Sequence, residues 1–224
     1  VRDIESDIPA RYNADSRRLF ETSGCAGKLG VFAVRTDTYA VPDKEQVFYL
    51  GTNNAEKLTQ LRKDILTNFK NLPEMAEYLH RTIFKITESY GKDTFLSINY
   101  LGTKNIPKFF AVKARVENLL KRLPLLSDSL PDKFLFYLSK LFPQHLPKRM
   151  LEFSDKYEHH LILKMSDKGI AEVQDYLKKH WSKEYDSGFF ACRTDEGNKA
   201  LLHRFAAGAA AGRYQMIHNN KVEG

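Results

Sequence analysis

The chain carries one local pattern twice, and this repetition limits what it can fold into. In the first copy an apolar run, Gln46-Val47-Phe48-Tyr49-Leu50-Gly51, ends at Thr52-Asn53-Asn54. Those polar residues can cap a helix whose apolar positions Leu58, Leu61, Ile65 and Phe69 step by three and four, and a second short strand is expected after Pro73. In the second copy His159 to Met165 reads as a strand, and Ser166 and Asp167 can cap a helix carrying Ile170, Val173, Leu177 and Trp181. Gly188 to Cys192 reads as the closing strand, and Glu196 to Ile217 is helical in pattern and rich in small residues. Neither copy can bury a sheet face by itself. The expected fold is therefore α+β: one antiparallel sheet of split β-α-β, ferredoxin-like design, covered by helices.

What separates the copies is unlike either of them. His80 to Lys156 holds 14 Lys/Arg against 7 Asp/Glu, a net +7 that equals the charge of the whole chain. The basicity, reflected in a pI near 9.2, thus belongs to one segment, which points to an anionic partner and says nothing of fold. The same segment is crowded with Phe, Tyr and Leu. Pro131 can open a helix with Phe134, Leu138 and Leu141 on one face and Lys133, Tyr137 and Lys140 on another, and a shorter helix is expected from Val116 to Leu123. A solvated face over a small core would also explain one such helix. Across the whole segment, basic residues near an anionic leaflet contribute about 1 kcal/mol each, and inserted aromatics add to this. Nucleic acid would use the same charges, but no RNP-like, zinc-finger or helix-turn-helix signature supplies a docking geometry, so none is expected. No apolar run reaches the roughly 18 residues of a spanning helix. Cys25 and Cys192 show neither disulfide nor zinc spacing, so no metal is expected.

Ahead of the first strand, Gly24, Gly27 and Gly30 lead into Val31-Phe32-Ala33-Val34, so the backbone there can pass close to a ligand or simply turn tightly. Leu19-Phe20 followed by Gly27-Lys28-Leu29-Gly30-Val31 resembles the L-F-x-G-S-E-G-T-L-G-I signature that closes the FAD-binding domain of vanillyl-alcohol-oxidase-type flavoproteins, with Cys25-Ala26 in place of Ser-Glu. Ser23 to Leu29, Ala10 to Asp15, Tyr90 to Leu96, Asp155 to Leu161 and Leu202 to Ala207 are together similar to the bacterial respiratory, quinone-dependent D-lactate dehydrogenases.

That resemblance implies oxidation of D-lactate to pyruvate at FAD, with electrons passed to a membrane quinone, by an enzyme held peripherally on anionic phospholipid at the cytoplasmic face of the inner membrane. It divides the chain into the tail of a FAD domain (1–37), two halves of a cap (38–79 and 157–194), a membrane-binding insertion (80–156) and a helical segment returning to it (195–224). Gly27, Gly30 and Val31 would meet FAD through their backbone. Lys104, Lys108, Lys113, Arg115, Lys121, Arg122, Lys133, Lys140, Lys148 and Arg149 are the expected lipid-facing residues. Catalytic candidates are His159, His160, His203 and Arg213, the last as a clamp for a substrate carboxylate. Adjacent in a strand, His159 and His160 point to opposite faces and cannot form a metal pair. Val1 is not Met, and the chain closes on a polar Asn219 to Gly224; both ends read as cut, and the expectation is a fragment inactive alone. Two alternatives stay open: a FAD-dependent dehydrogenase of another 2-hydroxy acid, and a non-enzymatic basic anion- or nucleic-acid-binding module.

Overall fold

The computed structural model describes residues 27–33, 40–105, 107–108, 111–112, 114–115, 137, 140–142, 144–181 and 186–218. Its elements are β1 (Glu45–Thr52), α1 (Ala55–Asn68), β2 (Met75–His80), α2 (Arg81–Tyr90), α3 (Lys92–Leu101), α4 (Lys148–Lys156), β3 (His159–Ser166), α5 (Lys168–His180), β4 (Ser187–Ala191) and α6 (Thr194–His218), with a 3-10 turn at Thr103–Asn105.

The four strands form one antiparallel sheet in the order β2-β3-β1-β4. β3 lies between β1 and β2, and β1 lies between β3 and β4, so each copy encloses a strand of the other. This interleaving lets two short units share one core. β1 pairs with β3 from Glu45↔Ser166 to Thr52↔His159, and β2 pairs with β3 from Met75↔Lys164 to His80↔His159.

Both sheet faces are covered, which explains why Phe48-Tyr49-Leu50 and Ile162-Leu163 are continuously apolar instead of alternating. On one face Phe48, Leu50, Leu163 and Met165 pack under α1 and α5 through Leu61, Ile65, Val173 and Leu177, with Trp181 closing the end. On the other, Val47, Tyr49, Ile162 and Phe190 meet Phe84 of α2, Phe95 of α3, Met150 of α4 and Ala200 of α6. The ends of the basic segment therefore build the second core layer, because their apolar residues fall at helical spacing between the lysines.

Local chemistry fixes the helix ends. Asn54 caps α1 by accepting the Glu56 N–H at 2.9 Å, as its position predicts. Asp167 sits at the start of α5 but makes no side-chain cap; at φ 43° it turns its carboxylate to the Lys44 N–H instead, at 3.0 Å. Gly51 and Gly188 are cross-strand partners, and both make room for Tyr157. A Cβ on Gly51 would lie 2.3 Å from the Tyr157 ring, and one on Gly188 would lie 2.7 Å from its hydroxyl.

Candidate functional site

Helix α6, 25 residues long, rises about 37 Å, more than the sheet needs. Its first turns lie on the sheet, where a Cβ on Gly197 would meet Val47 at 3.1 Å. Its later turns pack on α2 and α3 through fully buried Ala206 and Ala210. Small side chains permit this close approach: a Cβ on Gly91, between α2 and α3, would sit 3.2 Å from that of Ala210. Near the end of α6 the buried Arg213 donates to both carboxylate oxygens of Asp93 and, at 2.8 Å, to the Tyr90 carbonyl. One turn on, His218 Nε2 and the Tyr90 hydroxyl are 2.7 Å apart, and Tyr214 meets the Tyr90 ring edge-on.

This helical end carries much of the exposed aromatic and apolar surface. Lys92 donates its ammonium to the Phe142 carbonyl at 2.5 Å, which holds the 140–142 segment against the start of α3. Tyr137 is 63% exposed and Leu141 81% exposed, and Phe142, Tyr100 and Val112 are also exposed. In the same stretch of sequence Lys104, Lys108, Arg115 and Lys140 are all exposed, and the Lys140 ammonium is 5.2 Å from the Tyr137 ring centre. Lys113, Lys121, Arg122 and Lys133, and with them the helices expected over 116–123 and after Pro131, lie outside the described residues, apart from isolated positions of the latter.

The remaining basic candidates sit elsewhere. Lys148 and Arg149 open α4. Lys148 is exposed and 3.6 Å from Glu152. Arg149 binds Glu196 and the Ala191 carbonyl and stacks on Phe190 at 4.2 Å. Hydrogen bonding to Arg149, which outweighs its burial, holds the Glu196 carboxyl down at about 2; Arg193 adds to this through its N–H and its charge. Arg149 thus anchors α4 to the first turn of α6.

Of the catalytic candidates, Arg213 is buried and engaged by Asp93. His159 and His160 do face opposite sides of the sheet. His160 and His203 are fully buried, and a third histidine, His145, joins them; no well-aligned hydrogen bond reaches any of their ring nitrogens among the described residues. His160 and His203 both pack on Phe84, with ring centres at 5.7 and 4.4 Å, and His145 packs on Phe95 at 4.5 Å. Burial holds all three imidazoles neutral, lowering them from 6.5 to about 4 for His145 and His160 and about 3 for His203. Nearby positive charge lowers them further: Lys92 and Lys199 act on His145, and Arg81 acts on His160. His145 was not legible as part of this layer, because only the packing of the 144–147 segment brings it there.

His159 lies in a polar cluster that the sequence does not announce. Its Nδ1 is 2.8 Å from the Tyr78 hydroxyl, and its ring stands 5.5 Å from that of His80. His80 Nε2 is 3.1 Å from Glu158, and its Nδ1 accepts the Thr82 N–H that starts α2. Hydrogen bonding to His80 lowers the Glu158 carboxyl. Only the β2–β3 register brings residues 78, 80 and 159 together.

Toward the N-terminus, Gly27, Gly30 and Val31 are exposed. Gly27 is left-handed at φ +75°, with open space where a Cβ would stand. Cys192 is buried, and its thiol is pushed up to about 12, chiefly by desolvation.

A two-faced α/β sandwich extended by a helical end with exposed aromatic and basic residues, and with no helix among the described residues long and apolar enough to cross a bilayer, has the make-up of a peripheral membrane-docking unit. The family described as "D-lactate dehydrogenase, membrane binding" matches residues 47–224, and the chain belongs to it. It is 52% identical over 223 residues to the quinone-dependent D-lactate dehydrogenase of Escherichia coli (strain K12), and 46% identical over 223 residues to the protein of that name from Haemophilus influenzae. It is also 38% identical over 217 residues to the one from Corynebacterium glutamicum. These alignments cover 100%, 100% and 96% of this chain but only 39%, 40% and 38% of the relatives.

Proposed function

We propose that this chain is the cap and membrane-docking portion of a peripheral flavoenzyme that oxidises D-lactate to pyruvate and passes the electrons through FAD to a membrane quinone. The carrying observation is the helical end of α2, α3 and α6, where Tyr137, Leu141 and Phe142 are exposed together with Lys140. It fits attachment to anionic phospholipid at the cytoplasmic face of the inner membrane. The interleaved strand order supports reading the sheet as a ferredoxin-like cap. Residues 1–37 would then close the FAD domain, 80–156 would form the insertion, and 195–224 would return to it.

The glycine segment fits a flavin contact. Gly27 and Gly30 have no side chain to keep a ligand off the backbone, and Leu29, Val31 and Phe32 are exposed, the last fully, as expected of residues awaiting a covering surface. Gly27, Gly30 and Val31 would hold FAD through main-chain N–H groups. When bound, FAD supplies the hydride acceptor. The residues in this chain orient and attach; the base that takes the hydroxyl proton is not assigned to any of them.

The test is D-lactate-dependent quinone reduction by the full-length protein, set beside flavin retention and turnover of the 224-residue chain. Activity in the whole and none in the part is expected. Tight FAD retention with turnover by the chain alone would overturn the division of labour, and oxidation of a different 2-hydroxy acid in preference to D-lactate would overturn the substrate.

A further inference from the structure

On the sheet face that does not carry α6, a groove of about 390 Å³ runs between α1 and β2. Its walls are Leu58, Ile65, Leu66, Pro73 and Leu161, and its polar rim is Arg62 and Tyr78. A volume of a few hundred Å³ lined by apolar groups with polar groups at one end is the usual form of a small-molecule site. The rim is ordered for hydrogen bonding. The Tyr78 hydroxyl is 2.8 Å from His159 Nδ1, a contact that fixes the phenol at the rim. Arg62 has no ion-pair partner among the described residues.

We propose that this groove binds the quinone, its ring and the first part of its tail against the leucines and one carbonyl oxygen toward the Arg62 guanidinium and the Tyr78 hydroxyl at the rim; this rests on the quinone-dependent reading above. Complementarity of charge favours this occupant. A quinone presents partially negative carbonyl oxygens and gains negative charge as it is reduced, and it would meet the Arg62 guanidinium and the Tyr78 hydroxyl. Its ring and tail want the aliphatic wall that a small hydroxy acid would leave exposed.

The experiment uses the full-length flavoenzyme. Leu58→Trp fills the groove, and Arg62→Gln removes the guanidinium while keeping a polar side chain. In each variant the rate with a short-tailed quinone should fall about tenfold relative to the rate with a water-soluble dye in the same preparation, mainly through KM for the quinone. An azido-quinone should label peptides 55–66 and 75–80, a readout that does not depend on either variant folding. An unchanged quinone-to-dye ratio in both folded variants, or labelling elsewhere, overturns the site. So does protection of the groove by another part of the longer chain, seen as absence of labelling with saturating quinone. If no acceptor supports D-lactate oxidation, the functional reading fails instead, and photolabelling still decides whether the groove takes a quinone.

Discussion

Arg213 and Asp93 form a buried two-pronged ion pair that ties the last turns of α6 to the start of α3; both side chains are almost wholly removed from solvent. The pair holds the ends of α2, α3 and α6 together, since Arg213 also donates to the Tyr90 carbonyl at the end of α2.

Removing one partner leaves the other charge buried, which costs about 3–5 kcal/mol, whereas replacing both by apolar groups of like size is often close to neutral. Arg213→Met alone should therefore destabilise the chain strongly in urea. Arg213→Met with Asp93→Leu should recover much of the loss. Equal stability of the single variant and the wild type would show that α6 is held by its alanines alone.

The glycine slot for Tyr157 makes a second prediction. Gly51→Ala pushes a methyl into the ring and should cost about 1–3 kcal/mol as overpacking. Tyr157→Leu in the same chain should relieve part of it, so the two changes would be non-additive in a double-mutant cycle.

The buried histidine layer predicts acid sensitivity. His145, His160 and His203 titrate near 4, 4 and 3 in the fold, against about 6.5 in the unfolded chain. Below pH about 6.5 the unfolded state binds more protons, so their contribution is fully present above that value and is lost as pH falls toward 4 and 3. Each imidazole adds up to about 1.4 kcal/mol per pH unit to that slope. Unfolding free energies measured between pH 7 and 4 should fall steeply, and His203→Leu should flatten the curve. A slope unchanged by that substitution would contradict the assignment.

Much of the sheet could be read from periodicity. Leu58, Leu61, Ile65 and Phe69 marked α1, and the apolar run through Phe48 marked β1, because local spacing alone sets those elements. Less legible was the division of labour within His80 to Lys156. Its charge is a property of the whole stretch, while Phe84, Phe95 and Met150 enter the core only through tertiary packing. Arg149, expected at a lipid surface, is bound to Glu196, a pairing across 47 residues that no local pattern shows. Asp167 looked like a helix cap and instead binds the Lys44 N–H, since its positive φ turns the side chain away. The Tyr78–His159 contact likewise follows from strand register.

Docking through exposed charge and aromatic residues is the central claim, and vesicle co-sedimentation tests it most directly. The chain should bind vesicles rich in anionic phospholipid and not neutral ones, and high salt should release it because exposed charges are screened. At about 1 kcal/mol for each basic residue, replacing Lys104, Lys108, Arg115 and Lys140 by Gln should weaken binding by about a hundredfold or more. Equal binding to neutral vesicles at high salt, or no loss in the four-residue variant, would contradict it.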